Sequence, residues 1–440
     1  MPERQRHAVI VGAGIGGLTA AVALHHHGWR VTVCERAEGP AAAGAGIVLA
    51  PNALRAFDAI GFDATRAAGR TVLAALGLRR PAGDWLSRAD TTAMTARYGR
   101  SALAVHRQAL TAGLAAVLPE GTVAYGATVT GVDAGGGGDR AGAGDGAGVG
   151  ARAGDGAGGR PVVRTASGDL TADVVVAADG IHSPLRRRYF PDHSGLRYSG
   201  ETAWRAVLPG DGPPPPPAET WGRGQRFGVV PLADGRIYVY ATAVVPEGYR
   251  PADTLAELTR RYGTWHDPIP ALLDRIDPAA VLQHDLYDLA APLPSLHHGR
   301  IAWIGDAAHA MTPNLGQGGC QAIEDAVVLA RLLAVRAERG AARADGAAAR
   351  ADGVATGADG AATGAEGAGI PAALAAYTRA RLARTDAIRL RARRAGRIAA
   401  LTHPLAVAVR DLAVRATPAR VTHRALDDLF NGCALPPTGE

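Results

Sequence analysis

Gly305-Asp306-Ala307-Ala308-His309 is the segment of the sequence that decides most about the fold, together with Pro313-Asn314-Leu315-Gly316-Gln317-Gly318-Gly319 a few residues later. The apolar residues 301–304 before it predict a short buried strand, and residues 319–335 after it predict a long helix. Ligands bind at the carboxyl ends of the strands of a parallel sheet. Asp306 therefore stands where such a fold places a ligand.

The loop that joins this strand to the helix has an unusual composition for a simple connection. It contains Pro313, Gly316, Gly318 and Gly319. Glycine lets the backbone approach a bound molecule closely, and a helix N-terminus stabilises negative charge through its dipole and its free N–H groups. We expect these four residues to contact an anionic edge of a ligand.

A second motif lies near the N-terminus, where residues 8–12, 14–27 and 31–35 predict a strand, a helix and a second strand. The connection Gly12-Ala13-Gly14-Ile15-Gly16-Gly17 has the glycines that permit a tight turn, a close approach to a pyrophosphate, and close packing of helix on strand. Glu35 ends the second strand, where its carboxylate is placed to accept hydrogen bonds from ribose hydroxyls and disfavours a 2′-phosphate. The unit predicts FAD or NAD as the ligand.

A third motif, Ala178-Asp179-Gly180-Ile181-His182-Ser183, follows another apolar strand at 174–178. In this order and at these distances, the three motifs resemble the single-component FAD-dependent aromatic hydroxylases, also called group A flavoprotein monooxygenases. FAD-dependent urate hydroxylase, salicylate hydroxylase and zeaxanthin epoxidase are members to which the chain is similar. The resemblance covers nearly the whole chain apart from two low-complexity tracts.

The resemblance implies an α/β fold, with an FAD-binding Rossmann-like (para-hydroxybenzoate hydroxylase-like) domain, a substrate domain with a mixed β-sheet, and C-terminal helices. Residues 134–160 and 336–370 are rich in Gly, Ala, Asp and Arg. They bury too little apolar surface to offset their ordering entropy, so we expect disordered inserts there. The expected segments are 1–190 and 284–335 for the FAD-binding domain, 191–283 with 77–99 for the substrate domain, and 371–440 for the C-terminal helical region.

The resemblance also implies roles in cofactor binding for particular residues. In the family, the aspartate that matches Asp306 holds the ribityl chain of the flavin, and the motif of Asp179 lies near FAD and NAD(P)H. Arg107 matches an arginine that reaches the FAD phosphates. The remaining expected cofactor contacts belong to or adjoin matching segments: Gly46, which lies in the segment beside the isoalloxazine ring, Ile15 and Arg36.

The substrate contacts are expected in a β region. The run 224–232, with Tyr238 beyond it, is similar to a hairpin of urate hydroxylase in which an arginine and a tyrosine at matching positions touch the substrate. Arg226 and Tyr238 are therefore the candidate catalytic residues. Where that enzyme has an acidic residue, this chain has Asn314, and the surrounding loop is more similar to zeaxanthin epoxidase. The substrate stays open between an aromatic or aromatic-like small molecule and an olefin.

The mechanism that the resemblance implies is monooxygenation. NAD(P)H reduces FAD, dioxygen adds to give a C4a-hydroperoxide, and one oxygen atom passes to the substrate. Two alternatives stay open: an oxidase or reductase without oxygen transfer, and a non-catalytic nucleotide-binding or nucleic-acid-binding protein. We expect the arginines at 379–397 to be solvated or to pack on a neighbouring domain, without binding nucleic acid.

Composition excludes several other classes of protein. All 47 basic residues are arginine, so Schiff-base chemistry and a P-loop lysine are excluded. Three scattered cysteines predict a reducing, cytoplasmic location. Consecutive residues His25-His26-His27 point about 100° apart on a helix and cannot converge on one ion, so we expect no metal. No apolar run is long enough to predict integral membrane association, and a monomer and a homodimer fit equally well.

Overall fold

The computed structural model describes residues 4–40, 44–69, 75–135, 159–351 and 361–431. Most of the first expected insert and part of the second lie outside these ranges, as does the end of the C-terminal region. Everything stated below concerns the described residues.

The described chain forms eighteen strands and thirteen α-helices, with two 3-10 helices at Pro278–Ala280 and Pro313–Leu315. The strands are β1 His7–Val11, β2 Arg30–Cys34, β3 Gly46–Leu49, β4 Ala75–Arg79, β5 Trp85–Asp90, β6 Leu103–His106, β7 Val123–Ala124, β8 Val129–Asp133, β9 Val162–Thr165, β10 Gly168–Thr171, β11 Val174–Ala177, β12 Leu196–Leu208, β13 Ala218–Trp221, β14 Gln225–Pro231, β15 Ile237–Val244, β16 Leu282–Leu289, β17 His297–His298 and β18 Ile301–Trp303. The helices are α1 Ile15–His26, α2 Pro51–Asp58, α3 Ala64–Ala68, α4 Thr91–Tyr98, α5 Arg107–Ala116, α6 Pro184–Tyr189, α7 Thr254–Tyr262, α8 Ile269–Leu273, α9 Asp306–His309, α10 Gly318–Ala351, α11 Ala361–Ala399, α12 Pro404–Ala416 and α13 Ala419–Phe430. None of these helices is long and apolar enough to cross a membrane.

A six-stranded sheet carries the sequence motifs. Its order is β17-β18-β11-β1-β2-β7, and all neighbours are parallel except β17, which is antiparallel to β18. Every residue of β1 and β11 is buried. Parallel strands are covered by helices on both faces, so they read as continuous apolar runs instead of alternating patterns. The α/β fold predicted from the sequence is confirmed.

A seven-stranded mixed sheet forms the second layer, in the order β16-β12-β15-β14-β13-β4-β5. Its neighbours are antiparallel except for the parallel pair of β13 and β4. The mixed sheet predicted from the sequence is therefore present. Strands β4 and β5 join it although they are far from the other strands in the sequence.

The two faces of this sheet have different chemistry because side chains alternate along each strand. Directly paired residues share a face, as Arg205 of β12 does with Tyr240 of β15. We call the face that carries these two residues the inner face. The opposite, outer face buries Trp204 and Phe227 against the helices α7 and α8, where Tyr262 closes an aromatic cluster.

The long helices α10 and α11 are joined by buried ion pairs. Arg381 of α11 is fully buried, and it donates to Asp325 Oδ1 at 2.7 Å and to Glu324 Oε2 at 2.5 Å. Arg384, one turn later, also bonds Glu324. An arginine can serve several acceptors at once because its five N–H groups form a fixed fork.

The same buried cluster reaches two loops that follow strands. Asp325 Oδ2 accepts from the backbone N–H of Gly305 at 2.9 Å, and it lies 2.5 Å from His309 Nε2. Glu324 Oε1 accepts from Asn52 Nδ2 of α2 at 2.6 Å. The loop after β18, the start of α2 and the C-terminal helix α11 are thereby fixed relative to one another.

The pKa of Asp325 is governed by these contacts. Burial raises it, but the charges of His309 and Arg381 and the N–H of Gly305 outweigh burial and bring it to about 2. Buried charges are tolerated when they are paired and hydrogen-bonded. The cluster of Asn52, His309, Glu324, Asp325 and Arg381 is called the buried ionic cluster below.

The structure corrects several sequence predictions about helices. The insert expected to be disordered at 336–370 is helical up to Ala351 and again from Ala361. Its alanine and arginine residues have high helix propensity, which the expectation of disorder left out. The sequence pattern over 252–276 predicts one helix, but the structure has two, α7 and α8, because prolines at 268 and 270 cannot continue a helix interior.

Other boundaries also shift. The sequence pattern over 405–430 predicts one helix, whereas the structure has two that are separated at Thr417 and Pro418. The pattern over 105–118 also predicts a helix, which begins only after β6. The expected start of the second FAD-binding segment at 284 falls inside β16, which belongs to the seven-stranded sheet. We therefore move that proposed boundary to the end of β16. The strand patterns on either side of the first insert predict a widened hairpin, and β8 and β9 do pair antiparallel there.

Replacing Asp325 by Asn should lower the free energy of unfolding near neutral pH by about 3–5 kcal/mol, because the buried Arg381 loses a charged partner. The folded-state pKa of about 2 lies below the ordinary value of 3.8. The stabilisation is therefore complete above about pH 4 and is lost as pH falls toward about pH 2. Denaturant unfolding of both proteins across this range measures the effect.

The exposed Asp169→Asn exchange in β10 is the matched control, with an expected change within about 0.5 kcal/mol. A difference between wild type and Asp325→Asn that stays constant down to the acid limit would contradict this account.

Candidate active site

Four sequence-predicted residues lie just after four neighbouring strands of the six-stranded sheet. Gly12 follows β1, Glu35 follows β2, Asp179 follows β11 by two residues, and Asp306 follows β18 by three residues. These strands are parallel neighbours, so their carboxyl ends meet along one edge. This edge is where a doubly wound α/β fold binds its ligand.

The glycines of the first motif bring two of these loops into contact. Gly12 has φ +105, and a Cβ there would lie 2.5 Å from the carbonyl oxygen of Ala178. A Cβ at Gly17 would lie 1.9 Å from the carbonyl oxygen of Gly12. A Cβ at Gly14 would meet nothing within 4 Å. Gly12 and Gly17 thus permit close packing, whereas Gly14 faces open space, as a residue beside a phosphate would.

Glu35 links the ends of two strands through the backbone. Its Oε2 accepts from the N–H of Ala13 at 2.8 Å, and its Oε1 accepts from the N–H of Ala37 at 3.0 Å. Each carboxylate oxygen keeps a second lone pair for a further donor. Ile15 is buried at the start of α1, and Arg36 is exposed next to Glu35.

Asp179 is held between its loop and α6. Its Oδ2 accepts from the N–H of Leu185 at 3.2 Å, whereas its Oδ1 is buried without a partner. Burial raises the pKa of Asp179, although the Ser183 hydroxyl, the Leu185 N–H and the charge of Arg186 oppose that rise. A buried acceptor without a donor is unfavourable unless a ligand or water supplies one.

Arg186 is a site residue that the sequence analysis missed. It is 3% exposed, and its guanidinium donates to the carbonyl oxygens of Asp306, at 3.2 Å, and Ala307, at 3.0 Å. A further bond goes to the carbonyl oxygen of Ile181. These hydrogen bonds therefore hold the third motif against the segment that contains Asp306. The one sequence signal for this link is the position of Arg186, three residues after Ser183 of the motif.

The Asp306 loop combines an exposed carboxylate with an exposed glycine turn. Asp306 is exposed and makes no side-chain hydrogen bond within the described ranges, and its Oδ1 lies 3.8 Å from the Cβ position of Gly318. Gly316 has φ +62, in the left-handed region that favours glycine, and follows the exposed Pro313. Gly319 lets α10 begin against Ile47, whose Cδ1 lies 2.7 Å from a Cβ built at Gly319.

A separate two-stranded sheet of β3 and β6 meets the seven-stranded sheet at Gly46 and Tyr238. A Cβ on Gly46 would lie 2.5 Å from the ring of Tyr238, which is 7% exposed on the inner face. Burial raises the pKa of Tyr238, and Arg205 opposes this rise. Arg107 begins α5, is exposed, and donates its backbone N–H to Ala45 beside Gly46. The structure therefore brings Gly46, Arg107 and Tyr238 into one region.

Arg226 lies in the same region but is engaged by other protein groups. It is 3% exposed, and it donates to Glu201 Oε1 at 2.8 Å and Glu219 Oε1 at 3.3 Å. Its Nη1 also donates to Asn314 Oδ1 at 2.5 Å. Asn314 thus links the inner face to the Pro313–Gly319 loop. The asparagine that replaces the acidic residue of urate hydroxylase is therefore hydrogen-bonded to Arg226.

The strand-end residues fit an FAD molecule. The N-terminus of α1 has no side-chain cap and no acidic residue in its first turn, so its free N–H groups suit a diphosphate. Gly14 leaves open space there. The unpaired Oδ1 of Asp179 and the exposed carboxylate of Asp306 are acceptors suited to the hydroxyl groups of a ribityl chain.

Metal ligation has no comparable support. Within the described ranges, no group of three or more His, Cys, Asp or Glu residues is arranged to hold an ion. His25 and His26 are exposed at the end of α1.

Comparison with known proteins agrees with this geometry. The family described as FAD binding domain matches residues 5–356. The chain is 37% identical over 334 residues to aurachin C monooxygenase/isomerase of Stigmatella aurantiaca, an alignment that covers 75% of this chain and 81% of that protein. It is 31% identical over 336 residues to FAD-dependent urate hydroxylase of Klebsiella pneumoniae, with 73% and 80% covered.

A solved structure is similar over nearly the whole length. The crystal structure of Klebsiella pneumoniae HpxO complexed with FAD and uric acid matches with a TM-score of 0.79 and 25% identity, covering 98% of each chain. The resemblance read from the three motifs is therefore confirmed. The chain belongs to the FAD binding domain family and is an FAD-dependent monooxygenase of the hydroxylase type.

Proposed function

We propose that the protein hydroxylates an aromatic or aromatic-like small molecule, with NAD(P)H and dioxygen as co-substrates. One observation carries the proposal: Tyr238 of the inner face packs directly on Gly46, beside the strand ends that carry the cofactor motifs. A cofactor at those strand ends and a ring on the inner face would share one space. Such proximity is what transfer of an oxygen atom requires.

We assign the cofactor contacts by position along the strand ends. The turn Gly12–Gly17 and the N-terminus of α1 would hold the diphosphate, and Glu35 would accept from the ribose. Asp306 would accept from the ribityl chain. The loop Pro313–Gly319 and the N-terminus of α10 would face the pyrimidine edge, where a helix N-terminus stabilises negative charge. Exposed cations near the phosphates complete the assignment: Arg36 and Arg107.

FAD held by these residues would supply the redox chemistry that the proposal requires, namely reduction by NAD(P)H and transfer of one atom of dioxygen to the substrate, with the other atom leaving as water. The chain's own residues bind and orient the cofactor and the ring. The helices α7 and α8 pack on the outer face of this sheet. A substrate bound on the inner face would lie between the sheet and the cofactor, away from water. No side-chain nucleophile is needed.

Hydroxylation of a ring is preferred to epoxidation of an olefin because of the relatives. Urate hydroxylase acts on urate, and HpxO is complexed with uric acid, a planar heteroaromatic molecule. A nucleic-acid ligand is disfavoured, because several arginines of α11 are already engaged by protein groups, as Arg389 and Arg393 are by the carbonyl oxygen of Leu289. The buried, unpaired thiols of Cys34 and Cys320 support a cytoplasmic location.

Replacing Asp306 by Ala should release FAD without unfolding the protein, because the exposed carboxylate makes no hydrogen bond with the described residues that would be lost. The visible flavin absorbance after gel filtration, compared with the melting temperature, measures the two effects separately. The exposed Asp192→Ala is the control and should keep its flavin. An Asp306→Ala protein with full flavin content and full activity would refute the assignment.

The activity itself is tested by aerobic NAD(P)H consumption, with peroxide followed in parallel, against phenols, purines and polycyclic aromatics. One class of compound should accelerate consumption without matching peroxide, because the oxygen atom is then transferred to the ring. Consumption that yields stoichiometric peroxide and is indifferent to every compound would instead establish an oxidase.

A further inference from the structure

The inner face carries two arginines whose surroundings differ sharply. Arg226 of β14 and Arg205 of β12 both project from this face, because Arg226 pairs with Thr242 and Arg205 pairs with Tyr240 on the same strand, β15. Thr242 and Tyr240 are two residues apart, so they lie on one face. Only one of these arginines has carboxylate partners.

Arg226 is neutralised by the protein. Glu201 and Glu219 both accept from its guanidinium, so the three side chains carry a formal net charge of −1. Asn314 accepts a further bond, and its own amide nitrogen donates to Thr312 and to Ala392. The pKa of Arg226 is raised: burial acts against the charged form, and the charges of Glu219 and Glu201 outweigh it. An anionic ligand therefore gains little from Arg226.

Arg205 has no carboxylate within salt-bridge distance in the described part of the chain, and it is only partly buried. Its neighbours are aromatic and basic. It lies opposite Tyr240 and diagonally from Tyr238, which is two residues further along β15 and on the same face. A partly buried guanidinium that has no carboxylate partner in the described chain favours an acceptor oxygen from a ligand.

The location of Arg205 is beside the cofactor region. Tyr238 touches Gly46, which lies in the segment that the sequence resemblance places at the flavin ring. Burial lowers the pKa of His284, and the charges of Arg205, Arg250 and Arg107 lower it further. Arg205 therefore lies close to the same histidine as Arg107, the arginine expected at the FAD phosphates.

We propose that Arg205 and Tyr238 form the subsite that binds an acceptor oxygen on the substrate ring, and that Arg226 is a buried structural residue. The ligand class is an oxo- or hydroxy-substituted aromatic compound, bound through its carbonyl, phenol or phenolate oxygen. The assignment rests on the proposed function. It gives Arg205 the contact with the substrate that the resemblance led us to expect of Arg226. Tyr238 keeps its expected contact with the substrate.

The chemical consequence concerns the charge on the substrate oxygen. A guanidinium next to a phenol stabilises the phenolate, so the bound phenol releases its proton to solvent at a lower pH than in water. A phenolate oxygen donates more electron density into the ring than a neutral hydroxyl does. Ring carbons adjacent or opposite to it then attack an electrophilic oxygen atom more readily. Arg205 thus binds the substrate and also activates it.

The test uses 4-nitrophenol, whose phenolate is coloured, with the purified flavin-containing protein. The variants are Arg205→Gln, Arg205→Lys and Arg226→Gln, with the exposed Arg66→Gln as the matched control. Difference spectra over a pH series report the dissociation constant and the apparent pKa of the bound probe. Wild type and Arg66→Gln should bind 4-nitrophenol with its pKa below the value in water.

The variants should separate the two arginines. Arg205→Gln should lose the pKa shift and bind the probe about tenfold more weakly, with an unchanged melting temperature and flavin content. Arg205→Lys should retain part of the shift, because it keeps the charge without the planar fork. Arg226→Gln should melt at a lower temperature, because it leaves the buried Glu201 and the partly buried Glu219 without their cation, and its folded fraction should show the wild-type shift.

Two results would overturn the proposal. The first is wild-type probe binding and pKa shift in Arg205→Gln, or their loss in an Arg226→Gln protein of unchanged stability. The second is the absence of 4-nitrophenol binding by the wild-type protein. The same samples distinguish failure of the proposed function from failure of the subsite. Probe binding that depends on Arg205, without any oxygen transfer, would refute the hydroxylase function and leave the subsite assignment in place.

Discussion

The contact on which the rest of the structure depends is the pair of ion pairs between Arg381 and the adjacent acids Glu324 and Asp325. All three side chains are at most 1% exposed. Breaking such a pair leaves an uncompensated charge in the core, which costs far more than a surface ion pair contributes. The buried ionic cluster therefore holds its neighbours in one arrangement.

Those neighbours are the parts of the chain that would touch a flavin. Asp325 fixes the N–H of Gly305, so the exposed Asp306 next to it is set in position. Glu324 fixes Asn52 at the start of α2, directly after the strand that begins at Gly46. Tyr377 adds a bond from α11 to the carbonyl oxygen of Trp303 in β18. Helix α11 thus fixes the position of the end of β18 and of the loop that follows it.

A second cluster of the same type organises the other sheet. Arg226, with its two glutamates and Asn314, joins the inner face to the loop that precedes α10. In both clusters one arginine serves three or more acceptors, which a lysine ammonium cannot do with the same fixed geometry. The absence of lysine therefore also affects the core, because the buried cations of both clusters are guanidinium groups. The inner face is left with Arg205 as its cation without a carboxylate partner in the described chain.

The sequence was sufficient for the strand-end geometry because glycine motifs and apolar runs are local signals. Gly12, Asp179 and Asp306 stand where the pattern predicted, after parallel strands. It was insufficient where a side chain's partner is distant in the sequence. Arg381 lies in a run of arginines that reads as a solvated helix face, and its burial depends on acids more than fifty residues earlier. In the same way, nothing local in the sequence indicates that Arg226 bonds Glu201 and Asn314.

Helix lengths show the opposite error. The tract around residues 336–370 was judged by its low hydrophobicity, and the structure continues α10 and α11 into it from both sides. Local propensity favours a helix there even though the apolar surface is small. Burial and propensity are separate contributions, and the two disagree in an alanine- and arginine-rich chain.

The most direct test of the central claim is the FAD dissociation constant of Arg381→Met, compared with that of Arg379→Met two residues earlier on the exposed side of α11. Both should be measured at a temperature at which each protein is folded. The account predicts that Arg381→Met loses FAD affinity and melts at a lower temperature, whereas Arg379→Met matches wild type in both. An Arg381→Met protein that binds FAD as tightly as wild type would show that the buried ionic cluster does not position the cofactor loops.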